Sequence, residues 1–371
     1  MRIINDVRHM IELPLRRKFV RGGIGGTMAI LVAACEGARP TGVDEPSNNP
    51  PVTTSPDTAM VALSDLVGRS YKGFAGGLYR DGNEPPAAHT AAGRERARLV
   101  RPLDAAGNPS TTGKYVLLSI GMSNTTQEFC SQGSGLPCDP WTFAGKAAAD
   151  PTVNHSSLVI VNGASGGQDA SVWDSPTEAN YDRVRDTRLA PLGLTERQVQ
   201  VVWIKQAHSG PRSALPASDA DAYLMERDLG SILRAIRVRY PNIRQVFLSS
   251  RIYAGFATTA LNPEPYAYES GFSVKWLIDA QARQMSSAAA DPVAGDLRYD
   301  SVAPWAAWGP YLWANGTRAR SDGLTWIQAD FQSDGTHPGQ TAEEKVGRML
   351  LEFFKTSQFT RCWFLASGGV C

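Results

Sequence analysis

The sequence predicts an α/β protein, a three-layer α/β/α sandwich built on a mostly parallel central sheet. Two observations carry that expectation. Four short apolar runs recur along the chain, KYVLLSI (114–120), SLVIVNG (157–163), QVQVVWI (198–204) and RQVFLSS (244–250). Runs this rich in Val, Ile and Leu suit strands buried on both faces. Segments with helical periodicity lie among and after them. In 217–240, Leu229, Ile232, Leu233 and Ile236 fall on one helical face, and Pro241-Asn242 ends the segment. Residues 273–287 and 341–355 also read as helices, the second with Thr341 and Glu344 in a capping-box pattern. No internal repeat is visible.

The chain has 371 residues, 42% hydrophobic and 20% charged, which is enough for a large core. A net charge of +1 excludes the basic footprint of a nucleic-acid-binding protein. The charge is unevenly placed. The first 34 residues carry six Arg/Lys against Asp6 and Glu12, so the remainder nets −3. Residues 22–34, GGIGGTMAILVAA, are apolar but shorter than the roughly 20 residues that span a bilayer. A basic start followed by a short apolar stretch makes residues 1–34 an export signal. Val32-Ala33-Ala34-Cys35 resembles a bacterial lipobox, in which Cys35 becomes a lipidated N-terminus. Arg16-Arg17-Lys18-Phe19-Val20-Arg21 resembles a twin-arginine signal. The expected location is therefore the bacterial cell envelope, with membrane contact only through the lipid on Cys35. Residues 35–58 are rich in Pro, Ser, Thr and Asn and read as a flexible tether. Residues 59–113 lack clean periodicity and are expected to pack as an N-terminal extension on the main domain, 114–371. Oligomeric state is left open.

Five cysteines fit export. With Cys35 lipidated, Cys130, Cys138, Cys362 and Cys371 remain. They allow three pairings, of which the local one, Cys130–Cys138 with Cys362–Cys371, is preferred. Neither pair has tight metal-ligand spacing, so no metal is expected.

Parallel sheets bind ligands at the carboxyl ends of their strands. The residues just beyond each strand are therefore informative. After the first come Gly121, Ser123 and Asn124. After the second come Gly163, Ser165, Gly166 and Gly167. After the third come Lys205, Gln206 and His208, and after the fourth Arg251 and Tyr253. Just before the last helix sits SDGTHPG, with Asp334 and His337 three residues apart. A serine hydrolase needs a nucleophile, a base, a group that orients the base and donors for an oxyanion. Among five histidines, His208 and His337 are the candidate bases, and His337 has an aspartate on its own loop.

This constellation resembles the SGNH (GDSL-like) hydrolase superfamily over residues 114–355. Gly121-Met122-Ser123-Asn124 looks like its first block, in the GxSN form of the sialate and carbohydrate O-acetylesterase branches. NGASGG (162–167) is similar to the second block, and DGTHP (334–338) to the last. The resemblance implies a flavodoxin-like sheet, Ser123 as nucleophile, His337 as base and Asp334 as its partner. It implies Ser123 N–H and Gly166 N–H as oxyanion donors. The family's third donor is an Asn, or a Gln within W-x-Q-G-E. Here Trp203-Ile204-Lys205-Gln206-Ala207-His208 places the Gln one position late without a following Gly-Glu, and Gln206 is the expected substitute.

A rival lies in the same stretch. Gly163-Ala164-Ser165-Gly166-Gly167 fits G-x-S-x-G, the nucleophile elbow of another hydrolase fold. The residues after it hold turn formers rather than the helix such an elbow opens, so Ser123 is preferred. Asn124, His208, Arg251, Tyr253 and Trp305 are expected substrate contacts. The Trp-rich stretch 295–331, with Trp305, Trp308, Trp313 and Trp326, reads either as an irregular aromatic core or as a wall that stacks on sugar rings. The function implied is an exported esterase, without cofactor, that removes O-acetyl groups from carbohydrate. The alternatives are a lipase or aryl esterase of the same fold, and a non-catalytic glycan-binding lipoprotein.

Overall fold

A computed structural model describes residues 59–131, 137–286, 289–299 and 301–371. The export signal, Cys35 and the tether lie outside the described residues. A small antiparallel ribbon, β1 (Ser70–Tyr71) and β2 (Phe74–Ala75), precedes helix α1 (Ala87–Leu99). The central sheet then has five parallel strands: β3 (Tyr115–Gly121), β4 (Leu158–Asn162), β5 (Val199–Lys205), β6 (Gln245–Ser249) and β7 (Trp305–Trp308). Their order is β4-β3-β5-β6-β7. The helices that follow α1 are α2 (Ser123–Phe129), α3 (Phe143–Ala149), α4 (Ala179–Val184), α5 (Asp221–Arg239), α6 (Tyr266–Met285), α7 (Gln340–Thr356) and α8 (Arg361–Phe364).

Period-2 alternation divides the strand side chains between two cores. Val116, Leu118, Ile120, Val202, Ile204, Val246 and Leu248 face the side covered by α5 and α6. Tyr115, Leu117, Val201, Trp203 and Phe247 face the side that holds α3, α7 and α8. Both faces are covered, so the strands are mostly apolar, as their sequence anticipates, and their polar members Ser119, Gln200 and Lys205 are buried. Residues 59–113 contribute to both sides: Leu63, Leu66 and Tyr71 to the first core, Ala97 and Val100 to the second.

Four strands and three helices begin and end close to where periodicity placed them, with two differences. Helix α6 starts at Tyr266 rather than 273. The Glu264 carboxylate accepts from the Tyr268 N–H (2.9 Å), satisfying one of the open donors of the first turn. The capping box expected at Thr341 does not form. The N-cap of α7 is Gly339, Thr341 Oγ1 donates to the Ala329 carbonyl, and Glu344 pairs with Lys146.

The fifth strand, WAAW, sits inside the Trp-rich stretch, and all four tryptophans there are buried. Trp305 is paired with Gln245, the first residue of β6, and so lies at the amino end of the sheet. Its ring stacks on His89 (centroids 5.1 Å apart) and its N–H donates to the His89 carbonyl (3.0 Å). Trp308, Trp313 and Trp326 donate to Leu78 O, Glu264 and Leu312 O. The stretch is aromatic core, not a sugar-stacking wall.

The cysteines pair locally, Cys130 with Cys138 and Cys362 with Cys371. A buried ion pair ties α2 to the sheet. Lys205 Nζ, at the end of β5, donates to both oxygens of Glu128 on α2, and neither side chain is exposed. Burial pulls the Lys205 amine down to about 8 against the opposing pull of Glu128, and burial raises the Glu128 carboxyl. Removing one partner strands the other in apolar surroundings. Glu128→Gln or Lys205→Met is expected to lower unfolding free energy by about 3–5 kcal/mol, and the double variant to recover most of the loss. Urea denaturation of the three variants checks this; single variants within about 1 kcal/mol of wild type would show that the pair does not hold α2 in place.

Candidate active site

The strand order has a switch point between β3 and β5, where successive crossovers leave in opposite directions. Open parallel sheets bind ligands in the crevice at the carboxyl side of that point. Ser123 sits there, two residues beyond the end of β3, as the first residue of α2. Gly121 makes the approach close enough. A Cβ on it would come within 2.2 Å of Thr125 Oγ1 and 2.4 Å of the Lys205 carbonyl, which Thr125 Oγ1 bonds at 2.6 Å. The glycine therefore provides clearance between α2 and β5. Its backbone is not in the left-handed region, so clearance and not an unusual backbone conformation is its reason.

His337 Nε2 lies 2.8 Å from Ser123 Oγ, and His337 Nδ1 lies 2.5 Å from Asp334 Oδ2. An ionised carboxylate only accepts, so Nδ1 carries the proton and Nε2 is free to accept from the Ser123 hydroxyl. Asp334 shapes its own loop as well. Its Oδ1 accepts from Thr336 N–H and His337 N–H, both at 3.0 Å. Burial would raise this carboxyl, but the His337 N–H, the His337 ring and the Thr336 N–H overcome it and hold Asp334 below the ordinary carboxylate range. Asn124 fastens the loop from the other side: its Nδ2 donates to the Thr336 carbonyl (2.9 Å), and Asn124 is buried. One residue past the serine thus fixes the loop that presents the base.

The second glycine-rich segment is set by a buried polar network. Ser119 Oγ donates to Asn162 Oδ1 (2.7 Å), and Gly163 N–H donates to Ser119 Oγ (3.2 Å). Ser165 N–H donates to Gly121 O (3.1 Å). Together these hold the loop after β4 against the end of β3. A Cβ built on Gly166 would meet Ser123 Cβ at 3.9 Å, so Gly166 borders the serine directly. Among the described residues its N–H donates to no protein acceptor. Ser165 lies in a loop that opens no α-helix, and His337 is bonded to Ser123 rather than to it.

A cavity of about 370 Å³ opens over this arrangement, lined by Ser123, Asn124, Gly166 and His337 and by several residues that sequence reading did not single out. Those include Asp169, Ser209, Leu261, Asn262 and Thr336. Asp169 is engaged by the N–H and hydroxyl groups of both Ser171 and Ser209. His208 lines the cavity, with Nδ1 2.7 Å from Asp221 and Nε2 2.9 Å from Asp228. Burial would lower its pKa, but the two aspartates push it up to about 10. It is a fixed imidazolium with both N–H groups engaged, which removes it as a base. Asp221 and Asp228 on α5 carry no sequence signal that links them to His208.

Three expected residues are not brought to the cavity. Gln206 is buried with its Nε2 turned toward the Gln168 carbonyl (3.5 Å), so it does not line the site as a third oxyanion donor. Tyr253 packs its ring on Phe256 (centroids 5.2 Å apart) and Trp313 (6.2 Å) outside the cavity. Trp305 is at the opposite end of the sheet. Arg251 does line the cavity and is 1% exposed.

No protein-family model matches the chain, and no curated protein matches it. Solved structures of similar shape include a carbohydrate esterase family 3 protein from Talaromyces cellulolyticus, at 12% identity, covering 64% of this chain and 94% of that one, with a TM-score of 0.32. Another is a protein from Arabidopsis thaliana, at 12% identity, 64% and 96% coverage and a TM-score of 0.36. A third is a GDSL-like lipase from Bacteroides thetaiotaomicron, at 11% identity, 71% and 95% coverage and a TM-score of 0.31. At such scores the likeness carries no weight of its own. The parallel sheet establishes the fold class, and the distances around Ser123 describe the site.

Proposed function

We propose that the protein is a serine esterase. The observation that carries this is the continuous chain from Ser123 Oγ to His337 Nε2 (2.8 Å) and from His337 Nδ1 to Asp334 (2.5 Å), at the carboxyl end of a parallel sheet and beside Gly166. Ser123 Oγ attacks the ester carbonyl carbon while its proton passes to His337 Nε2. Asp334 stabilises the imidazolium that results. The Ser123 N–H, which has no intrahelical acceptor in the first turn of α2, and the free Gly166 N–H stabilise the oxyanion. The C–O bond to the alcohol then breaks, and the alcohol leaves with the proton from His337. Water, deprotonated by His337, attacks the acyl-serine, releases the acid and returns the proton to Ser123. Each proton and electron pair is accounted for by the serine, the histidine and water.

The substrate we propose is an O-acetyl group on carbohydrate. A cavity of about 370 Å³ suits a short acyl group with part of an alcohol. Turnover of acetylated sugars and of 4-nitrophenyl acetate, against 4-nitrophenyl esters of long fatty acids, tests this. Preference for the long chains would make the protein a lipase. Glycan binding without turnover of any ester would make it a binding protein.

We further propose that the protein is exported and held at the envelope by lipid on Cys35, on the strength of the Val32-Ala33-Ala34-Cys35 sequence. Cys35→Ser is expected to move the protein from the membrane fraction to the soluble fraction; unchanged partition would count against the anchor. Among the described residues no helix is long and apolar enough to cross a membrane.

A further inference from the structure

We propose that Asp169 is a positioning residue for the oxyanion site: its carboxylate straps the loop after β4 to the loop after β5 and so holds the Gly166 N–H at Ser123. The inference rests on the esterase reading and adds the part of the chain that keeps an oxyanion donor in place.

The strand order β4-β3-β5 puts the loops after β4 and β5 on either side of the strand that delivers Ser123. Asp169 joins them across it. Its Oδ2 accepts from the Ser209 N–H (3.0 Å) and hydroxyl (2.7 Å), 40 residues away on the loop after β5. Its Oδ1 accepts from the Ser171 N–H (3.2 Å) and hydroxyl (2.7 Å), on its own loop. Capping the short turn Ala170–Val172 uses only the Ser171 side. The other oxygen reaches a separate loop, which a cap does not require. An ionised carboxylate only accepts, which suits a group surrounded by donors. Burial would raise this carboxyl, but the donors of Ser171 and Ser209 overcome it and hold it below the ordinary carboxylate range.

Gly166 is held from the two ends of its segment. On the near side Ser165 N–H is bonded to Gly121 O (3.1 Å). On the far side come Gly167, Gln168 and Asp169. Neither glycine has a side chain to anchor it. Gly167 has φ +73°, and a Cβ there would meet nothing within 4 Å. Gln168 is gripped through its carbonyl by Trp173 Nε1 (3.2 Å) and through its side chain by Asn180 Nδ2 (2.7 Å), but both belong to the same connection between β4 and β5. The links that cross to the residues after β5 are the Asp169–Ser209 pair, the Ala170 N–H bond to the Ala207 carbonyl (3.1 Å) and the long Gln206 contact with the Gln168 carbonyl. Asp169 and Ser209 line the cavity together with Gly166 and Gly167. Oxyanion stabilisation depends on donors fixed before the reaction, and a misplacement of about 1 Å can cost about 10²-fold.

The test is turnover of 4-nitrophenyl acetate by the full-length protein, with inhibition by a trifluoromethyl ketone. The ketone adds to Ser123 Oγ and turns its carbonyl oxygen into an oxyanion. Asp169→Ala is expected to lower kcat about ten- to hundred-fold with KM within about three-fold, and to weaken the ketone by about the same factor as kcat/KM. Asp169→Asn, which keeps an acceptor for one of the two serines, should lose less. Ser209→Ala takes a hydroxyl from the crossing side and should lower kcat about three- to ten-fold, and adding it to Asp169→Ala should cost little more. Ser171→Ala takes a hydroxyl from the capping side and should keep kcat within about two-fold of wild type. If Asp169→Ala does not fold, Ser209→Ala against Ser171→Ala gives the same comparison. Asp169→Ala or Ser209→Ala with wild-type kcat, a loss in Ser171→Ala as large as in Ser209→Ala, or ketone affinity unchanged while kcat falls would overturn the inference and leave the esterase intact. Ester turnover that survives Ser123→Ala would overturn the reading beneath it.

Discussion

Ser123→Ala is expected to lower kcat on any ester the protein turns over by about 10⁴-fold or more. The variant keeps the cavity, the Gly166 N–H and the Asp334–His337 pair, so substrate binding should change little and the loss should fall on kcat. Alanine has the smaller side chain and Ser123 Oγ bonds only His337 among the described residues, so stability should stay within about 1 kcal/mol of wild type. Ser165→Ala is the matched control and should retain most of the activity, because Ser165 has no bond to the base. Loss in Ser165→Ala with retention in Ser123→Ala would reverse the assignment.

Asp334→Asn is expected to cost about 10⁴ in kcat by a different route. The amide oxygen still accepts from Thr336 N–H and His337 N–H, so the loop is preserved. The amide nitrogen now faces His337 Nδ1 as a donor. That favours the tautomer with its proton on Nε2, which cannot accept from Ser123. The variant also loses the negative charge that stabilises the imidazolium. Near-normal thermal stability beside the large loss of kcat would separate this from unfolding. A loss below about ten-fold would mean that His337 does not depend on Asp334.

The layers of the fold were legible because a parallel sheet covered on both faces leaves predominantly apolar runs, and β3 to β6 have them. Strand β7 was hidden. Four residues, two of them tryptophan, give no period, and its burial depends on α1 and on His89 from far away in the chain. The start of α6 was missed for a similar reason, since its first turn is held by Glu264 rather than by a capping residue of the usual kind.

At the site, the serine, the histidine and the aspartate were readable because each follows a recognisable local pattern. Gln206 was readable only by analogy of position, and its amide is turned to Gln168. The clamping of His208 depends on Asp221 and Asp228, which α5 brings from elsewhere in the chain. No spacing in the sequence encodes that. Asn124 changed meaning most: a residue expected to contact substrate fastens the loop carrying the base.

Covalent labelling of the intact protein with a fluorophosphonate, followed by peptide mass spectrometry, tests the role of Ser123 at its reacting atom. A fluorophosphonate reacts with a serine only when a base and an oxyanion site activate it. A single adduct is expected, on Ser123, and it should be lost in His337→Ala. An adduct on Ser165, or no adduct on a folded protein, would rule out Ser123 as the activated nucleophile.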